Sequence, residues 1–427
     1  MAGPAPRCSV TVGPMPAQSA RLLPIYRDRQ YQRLWTLGMS VGLIRWAEIL
    51  AYAVFTYEQT RSALWVASLM MLRMLPLALL GVSLGALAAR LSRRKVLLAG
   101  QAGLLAITLV LLLLSFQGWI EVWHLALASA LSGVLWACDM PMRRGLMGDI
   151  AGPDRVAQAM SLDAVATSAC RLMGPGLGGL IIAQGGLTGV FVCLALLYLP
   201  GLLALALLRE PPTTLVTDVK PLSALLVGGF QAARSSPLLL AALWLTLLFN
   251  LFAWPVLSMV PVIGQERLRL DPQGVGLLAS LEGVGALTAA MLMSVFAARL
   301  RHGLVFLVAV VSFMVLQLLL AWSEQVLLTG AALLLLGGVQ TGFAIMQSTL
   351  AYTAAPQRRA EAMGLMTMCI GVSPLGFLGV GALAERLGAP NAIWVCGICG
   401  LLGVALSWPL CRACVRDQAV ARIETKL

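Results

Sequence analysis

The sequence predicts an all-α polytopic membrane protein with twelve transmembrane helices in two parallel six-helix halves. Its composition is 59% hydrophobic and 11% charged, with a mean hydropathy of +0.88, whereas ordinary soluble domains contain about 25% charged residues. Apolar runs long enough to cross a hydrocarbon layer of ~30 Å recur from residue 34 almost to the end of the chain. Similar segments also recur in the first and second parts of the chain, which indicates the two halves.

The apolar runs define the predicted spans. Glycine and proline occur freely in them, and membrane helices tolerate both residues when neighbouring helices satisfy the backbone groups left free. The runs therefore indicate helices and not a barrel. The predicted spans are 33–57, 63–90, 96–117, 123–146, 157–183, 188–208, 237–263, 274–300, 304–322, 326–352, 360–386 and 391–411.

The distribution of basic residues predicts the orientation. Residues 1–32 contain no long apolar stretch and are placed in the cytosol. With that placement, 23 of the 30 lysines and arginines fall in cytoplasmic tails and loops, as the positive-inside rule requires. We therefore expect both termini in the cytoplasm. The net charge of +12 is explained by this asymmetry and does not indicate nucleic-acid binding.

Internal repeats support the two halves. LAARLSRRKVLLA at 87–99 aligns with FAARLRHGLVFLV at 296–308, and PDRVAQAMSL at 153–162 aligns with PQRRAEAMGL at 356–365. GALAERLG at 381–388 resembles GALAARLS, which begins the stretch 85–100, even more closely. Because it falls at the other end of its predicted span, we interpret that likeness as coincidence.

The repeats divide the chain into two bundles with a central linker. Such parallel six-helix halves are the plan of the major facilitator fold, in which the halves rock about a midplane site. The predicted segments are a cytoplasmic tail at 1–32, an N-terminal half at 33–208, a cytoplasmic linker at 209–236, a C-terminal half at 237–411 and a cytoplasmic tail at 412–427.

Three short motifs carry a resemblance to a known family. They are a loop motif with Gly85, Arg90, Arg93 and Arg94, then Asp139-x-Pro141-x-Arg143, then Arg171 followed by Gly174-Pro175. With them, the chain from about residue 27 to 411 resembles bacterial exporters of the major facilitator superfamily, in the branch that includes the enterobactin exporter and macrolide efflux proteins. The resemblance implies a monomeric exporter of the bacterial cytoplasmic (inner) membrane, in which these motifs govern conformational change.

The loop motif departs from the family pattern, which usually reads G-x-L-A-D-R-x-G-R-R-x-x-L. Ala89 replaces the aspartate and Ser92 replaces the second glycine. In the family this carboxylate is thought to latch the halves by charge and helix-dipole contacts, so its loss is expected to weaken one conformational state. We expect a working transporter with a shifted inward/outward balance; the alternative is a degenerate transporter or a sensor.

Three arginines, Arg45, Arg73 and Arg171, lie deep in predicted spans, where a charge is costly unless it is paired or hydrated. Glu48 lies three residues after Arg45, on roughly the same helix face. One interpretation pairs Arg45 with Glu48 and uses Arg171 to hold helices together inside the N-terminal half. The other leaves two arginines uncompensated, which makes that wall of the cavity cationic and suits an anionic substrate.

Buried carboxylates are the candidates for proton coupling, because a desolvated carboxylate can exchange a proton during the cycle. In order of preference they are Glu48, Asp139 and Glu282. Asp139 has a structural alternative, an ion pair with Arg143 or Arg144. Glu282 has the alternative of a position near the outer surface.

The predicted cavity lining in the second half is neutral. Gln340 and Gln347 are seven residues apart on one helix face, and their amides can bind donors or acceptors on a ligand. The predicted substrate-binding residues are Arg45, Arg73, Arg171, Asn250, Trp254, Gln340 and Gln347.

The sequence argues against ATP hydrolysis and metal catalysis. It contains no GxxxxGK[ST] motif, and its two histidines, His124 and His302, fall on opposite sides of the predicted membrane. We expect no cofactor, no metal and no enzymatic activity. The alternative function class is a membrane enzyme or sensor, which would need a clustered set of polar residues. The available cluster is Asp139, Arg143, Arg144 and Asp149, and it fits the transporter motif better.

The leading prediction is a secondary active transporter that exports a small organic molecule by proton-coupled alternating access. A siderophore or similar anionic metabolite is the first substrate class, because of the midplane arginines. The alternatives are a multidrug or macrolide efflux pump and an uptake permease, since the fold does not set the direction. The expected partners are the substrate, protons and the lipid bilayer.

Overall fold

The computed structural model describes residues 25–88, 92–152, 155–209, 222–296 and 300–416. Within these ranges the regular structure is entirely helical. The predicted all-α membrane fold is therefore confirmed.

Fifteen α-helices follow one another in the described residues. They are α1 (Arg29–Thr60), α2 (Ala63–Ala88), α3 (Arg93–Phe116), α4 (Val122–Ala151), α5 (Val156–Leu207), α6 (Leu222–Ser235), α7 (Pro237–Leu248), α8 (Val260–Glu266), α9 (Pro272–Phe296), α10 (His302–Trp322), α11 (Val326–Thr353), α12 (Arg359–Ile370), α13 (Ser373–Leu387), α14 (Ala389–Leu406) and α15 (Trp408–Val415).

Ten helical segments of the described chain are long and apolar enough to cross a membrane. One of them lies in α5, which has 52 residues and would span roughly 78 Å if straight, more than twice the hydrocarbon thickness. Gly186 interrupts α5 with φ 59° and ψ −164°, a conformation that favours glycine. The helix therefore crosses the membrane twice. When this second crossing and the 26-residue α2 are added to the ten segments, the described helices give twelve crossings, the number of predicted spans.

The helix ends form two faces. On one face Arg93 Nη1 binds Asp149 Oδ2 at 2.5 Å and Arg94 Nε donates to the carbonyl of Leu205 at 2.9 Å, so the start of α3 lies beside the ends of α4 and α5. We call this the basic face, and the positive-inside rule predicts that it is cytoplasmic. The other side, where α1 meets α2 and α8 meets α9, is called the opposite face.

The seventh crossing is irregular at its centre. Between α7 and α8 the chain forms a π-helix at Phe249–Ala253 and a 3-10 helix at Trp254–Met259. Pro255 and Pro261 contribute to the irregularity, because proline has no N–H for the helical ladder. Single π-turns inside helices occur frequently at functional sites.

The N-terminal helices (α1–α5) and the C-terminal helices (α7–α14) meet closely toward the opposite face. Gly179 of α5 lies against the backbone of Gly276 of α9, and a Cβ on Gly283 would collide with the backbone of Leu172. Small residues allow such close approach of membrane helices. The molecule is therefore closed on the opposite face.

The predicted segment boundaries stay predictions. Residues 210–221 of the linker, 1–24 of the first tail and 417–427 of the last lie outside the described residues. Helix α6 occupies the end of the linker, where Gly228 and Gly229 pack on Glu361 of α12. Helix α15 runs across the predicted boundary between 411 and 412.

Candidate functional site

A cavity of about 120 Å³ lies between the N-terminal and C-terminal helices. Its wall is mainly aliphatic and aromatic, with one arginine and one glutamate. The aromatic and charged lining residues are Trp46, Arg171, Trp254, Glu282 and Phe377.

Arg171 bridges the two sets of helices at the wall of this cavity. Its Nε donates to Glu282 Oε2 at 2.7 Å, and its Nη2 contacts Glu282 Oε1, so the pair is bidentate. The same Nη2 donates to Gln340 Oε1 at 2.6 Å. The guanidinium also lies 5.3 Å from the ring centroid of Trp46. Arg171 of α5 is therefore bound to α9 and α11.

This contact corrects one sequence interpretation. Arg171 does not hold helices together only inside the N-terminal half, because its carboxylate partner is on α9. Gly174 and Pro175 follow it: Gly174 packs on the Trp46 side chain, and Pro175 lines the cavity. Glu282 is buried at the interface rather than exposed at the outer surface.

A second, polar cavity of about 30 Å³ lies inside the N-terminal helices. There Arg73 Nη2 donates to Glu48 Oε1 at 2.5 Å, and both side chains are buried. Arg45 instead places its guanidinium 4.6 Å from the ring centroid of Trp136 on α4. The expected pairing of Arg45 with Glu48 is therefore wrong, because α2 supplies the partner of Glu48.

The Asp139-x-Pro141-x-Arg143 motif ties α4 to α5. Arg143 Nη1 donates to Asp163 Oδ1 at 2.5 Å, while Arg143 Nε lies 3.6 Å from Asp139 Oδ2. In the part of the chain that the structure describes, neither carboxylate oxygen of Asp139 has a hydrogen-bond partner. Pro141 is within α4, and its side chain is outside the description. The motif thus forms an ion-pair cluster near the basic face.

The membrane-embedded charges are balanced among the described residues. Arg73 and Arg171 each bind a glutamate directly, so the expectation of two uncompensated arginines is wrong. A cationic wall is absent from the described cavity for this reason. The embedded arginines are Arg45, Arg73, Arg143 and Arg171, and the embedded carboxylates are Glu48, Asp139, Asp163 and Glu282.

The predicted neutral lining residues separate into two groups. Trp254 lines the cavity, where its ring meets that of Phe377 edge-on at 5.4 Å, and Gln340 reaches Arg171. Asn250 donates to the carbonyl of Thr246 at 2.9 Å, and Gln347 donates to the Thr246 hydroxyl at 3.2 Å. Asn250 and Gln347 therefore stabilise the irregular seventh crossing and its contact with α11.

The loop motif is described in part. Gly85 lies in α2, and Arg90 and Ala89 lie outside the described residues. Arg93 and Arg94 bind α4 and α5 on the basic face. These contacts fix the start of α3 within the N-terminal helices.

Several residues that line the two cavities were not predicted, and Trp46, Phe377 and Tyr198 are among them. Trp46 and Phe377 line the cavity between the helices, and Tyr198 lines the polar one. Trp46 is adjacent to Arg45 in the sequence, so its place next to a predicted buried arginine could have identified it as a cavity residue. Nothing in the sequence brings Tyr198 close to Glu48, since the two lie on different predicted spans.

The chain matches the family described as transmembrane secretion effector over residues 20–422. It belongs to this family of major facilitator transporters. The chain is 26% identical over 411 residues to the uncharacterized MFS-type transporter YfiS of Bacillus subtilis (strain 168), covering 90% of this chain and 93% of the relative. A staphyloferrin A transporter of Staphylococcus aureus (strain NCTC 8325 / PS 47) is 24% identical over 145 residues, covering 34% of this chain and 36% of the relative.

Solved transporter structures share the fold. A bacterial homolog of the human lysosomal transporter Spinster, inward-facing and unoccupied, gives a TM-score of 0.69 at 15% identity, covering 92% of this chain and 98% of that one. A POT family transporter in complex with a thioalcohol-conjugated peptide gives 0.74 at 12% identity, covering 90% and 96%. These identities show the fold alone. The family match over residues 20–422 shows that the chain is a multi-pass secondary transporter of the major facilitator type and not an enzyme.

The buried pair of Glu48 and Arg73 is expected to control stability. Glu48→Leu leaves the guanidinium of Arg73 buried without its partner, which costs about 3–5 kcal/mol. The double variant Glu48→Leu/Arg73→Met removes both charges and should recover most of this loss. The melting temperatures of the single and the double variant in detergent measure the loss of stability and its recovery. Glu324→Leu is the control, because Glu324 is exposed. Equal melting temperatures for the single and double variants would contradict the pairing.

Proposed function

We propose that this transporter exports a small organic molecule that carries a carboxylate, a siderophore or similar anionic metabolite, by proton-coupled alternating access. One observation carries the proposal: Arg171 joins Glu282 and Gln340 across the interface between the N-terminal and C-terminal helices, at the wall of the cavity. The pair can persist only while α5 and α9 stay together.

The substrate step uses the guanidinium of Arg171. Alternating access requires α5 and α9 to separate on the opposite face, and this separation breaks the bidentate contact with Glu282. The guanidinium then needs another anion, because an unpaired buried charge is costly. A substrate carboxylate fits that need and binds in the same bidentate geometry. The apolar remainder of the substrate would contact Trp46, Trp254 and Phe377.

The proton step uses the carboxylate of Glu282. When Arg171 leaves, Glu282 is a partly desolvated carboxylate without its cation, and protonation removes its charge. When the pair forms again, the ionised form is favoured and the proton leaves. With the basic face in the cytoplasm, export requires the substrate to enter the cavity from the cytoplasm and to leave outside before the pair forms again. The carrier then returns with the proton on Glu282, and the proton departs inside when the pair forms.

Glu282 therefore precedes Glu48 and Asp139 among the proton-coupling candidates. Glu48 is held by Arg73, and Asp139 lies near Arg143, so both pairs lie within the N-terminal helices. A rigid-body movement of one set of helices against the other leaves such pairs intact. The Glu282 pair, in contrast, changes with that movement.

Two comparisons support the direction and the substrate class. The family description is that of a secretion effector, which favours export over uptake. The partial relative named for staphyloferrin A supports a siderophore-like substrate. A multidrug or macrolide efflux pump is the second candidate, because the cavity wall is mostly apolar and its one arginine is neutralised by Glu282.

Glu282→Gln is expected to abolish export driven by a proton gradient. The glutamine keeps the shape of the side chain but cannot exchange a proton, so substrate exchange across the membrane should persist without a response to the gradient. Proteoliposomes with an imposed pH difference measure both activities. Glu324→Gln serves as the control, since Glu324 pairs with Arg267 inside the C-terminal helices. Gradient-driven export by Glu282→Gln at the rate of the unmodified protein would refute the proton step.

The substrate class is tested by metabolite measurement in a deletion strain and its complemented parent, under iron-limited and iron-replete growth. The proposal predicts that an iron-chelating carboxylate metabolite accumulates inside the deletion strain and disappears from the medium. Complementation with Arg171→Gln should not reverse this. If drug tolerance falls and no native metabolite moves, the multidrug alternative is correct.

A further inference from the structure

The stretch GALAERLG at 381–388 forms the last two turns of α13 on the opposite face. A similar sequence, GALAARLS, occupies residues 85–92, with Ala89 at the position that corresponds to Glu385. The two stretches fall at opposite ends of their predicted spans, and the structure describes the contacts of the second one, at the end of α13.

Glu385 lies at the N-terminus of α2. Ser62 caps this helix, since its Oγ accepts from the amide of Trp65 at 3.3 Å, and the same hydroxyl donates to Glu385 Oε2 at 2.8 Å. The amide of Leu64 also faces Glu385 Oε2, at 3.4 Å. A carboxylate from the C-terminal helices therefore meets the positive end of a helix from the N-terminal helices.

Gly381 brings the two helices close enough for this contact. A Cβ at Gly381 would lie 2.6 Å from the Cβ of Ala67 and 3.2 Å from the Cα of Leu64, so a larger residue would push α13 away from α2. Gly381 and Glu385 are four residues apart and so lie on one face of α13. The glycine sets the approach and the glutamate binds the helix end.

Neighbouring contacts join the same two sets of helices on this face. Tyr57 Oη donates to Glu266 Oε2 at 3.1 Å, and Gln265 Nε2 donates to Glu58 Oε1 at 3.2 Å, which connects α1 to α8. Glu385 therefore belongs to a closed rim and not to an isolated surface contact.

We infer that Ser62, Leu64, Gly381 and Glu385 form an opposite-face latch, which stabilises the state closed on this face through a carboxylate at the start of α2. The carboxylate of this latch, Glu385, favours the state closed on the opposite face, whereas the similar stretch at 85–92 has Ala89 at the corresponding position. The inference requires neither the proposed substrate nor the proposed ion.

Amide hydrogen exchange of the substrate-free full-length protein in nanodiscs tests the latch. Glu385→Gln should raise exchange about two- to five-fold, the range that corresponds to a charge at a helix end. The rise is expected in three places: the first turns of α2, the end of α13, and the α5–α9 contact near Gly179. Glu324→Gln, on the same face but paired with Arg267 within the C-terminal helices, should change none of them.

Amide exchange at the distant α5–α9 contact distinguishes a latch from a simple helix cap. A rise confined to the first turn of α2, or no rise anywhere, would overturn the inference. Ser62→Ala removes the same hydrogen bond and gives a second test if Glu385→Gln does not fold. Gly381→Val should produce a larger rise at all three places than Glu385→Gln, and an unchanged exchange pattern in that variant would likewise overturn it.

Discussion

The ion pair of Arg171 and Glu282 is the interaction on which the rest of the structure depends. Two opposite charges inside a membrane are costly apart and tolerable together, so each requires the other. Because one is on α5 and the other on α9, this requirement becomes a force that holds the N-terminal and C-terminal helices together. Every account of transport in this chain must state what each charge binds when the helices separate.

Glycine packing and edge contacts make this pair possible. Gly283, next to Glu282, allows α9 to reach the backbone of α5, and a larger residue would displace the carboxylate from Arg171. Farther toward the opposite face, the latch with Glu385 holds α13 against α2. The central pair and the latch lie on different helix pairs, so both contacts have to open before the opposite face can. The buried pair of Glu48 and Arg73 stays inside the N-terminal helices and keeps that bundle rigid.

The fold was predictable from the sequence because the bilayer thickness and the positive-inside rule act on single segments. The depth of the charged residues in the membrane was also predictable, because it follows from counting residues along each span. Their partners did not, because pairing depends on which helices are neighbours. The three-residue spacing favoured Arg45 as the partner of Glu48, yet α2 brings Arg73 closer. The contact of Arg171 with Glu282 joins residues 111 positions apart, which no local pattern encodes.

The most direct measurement is the distance between spin labels at Gln184 and Gln273, which are exposed near the opposite-face ends of the fifth crossing and of α9. In a background without the native cysteines, the unmodified pair should give a short distance at neutral pH and a longer one on acidification, because protonation of Glu282 releases Arg171. With Glu282→Gln the longer distance should dominate at both pH values. A short distance that persists in Glu282→Gln at both pH values would contradict the central role of this ion pair.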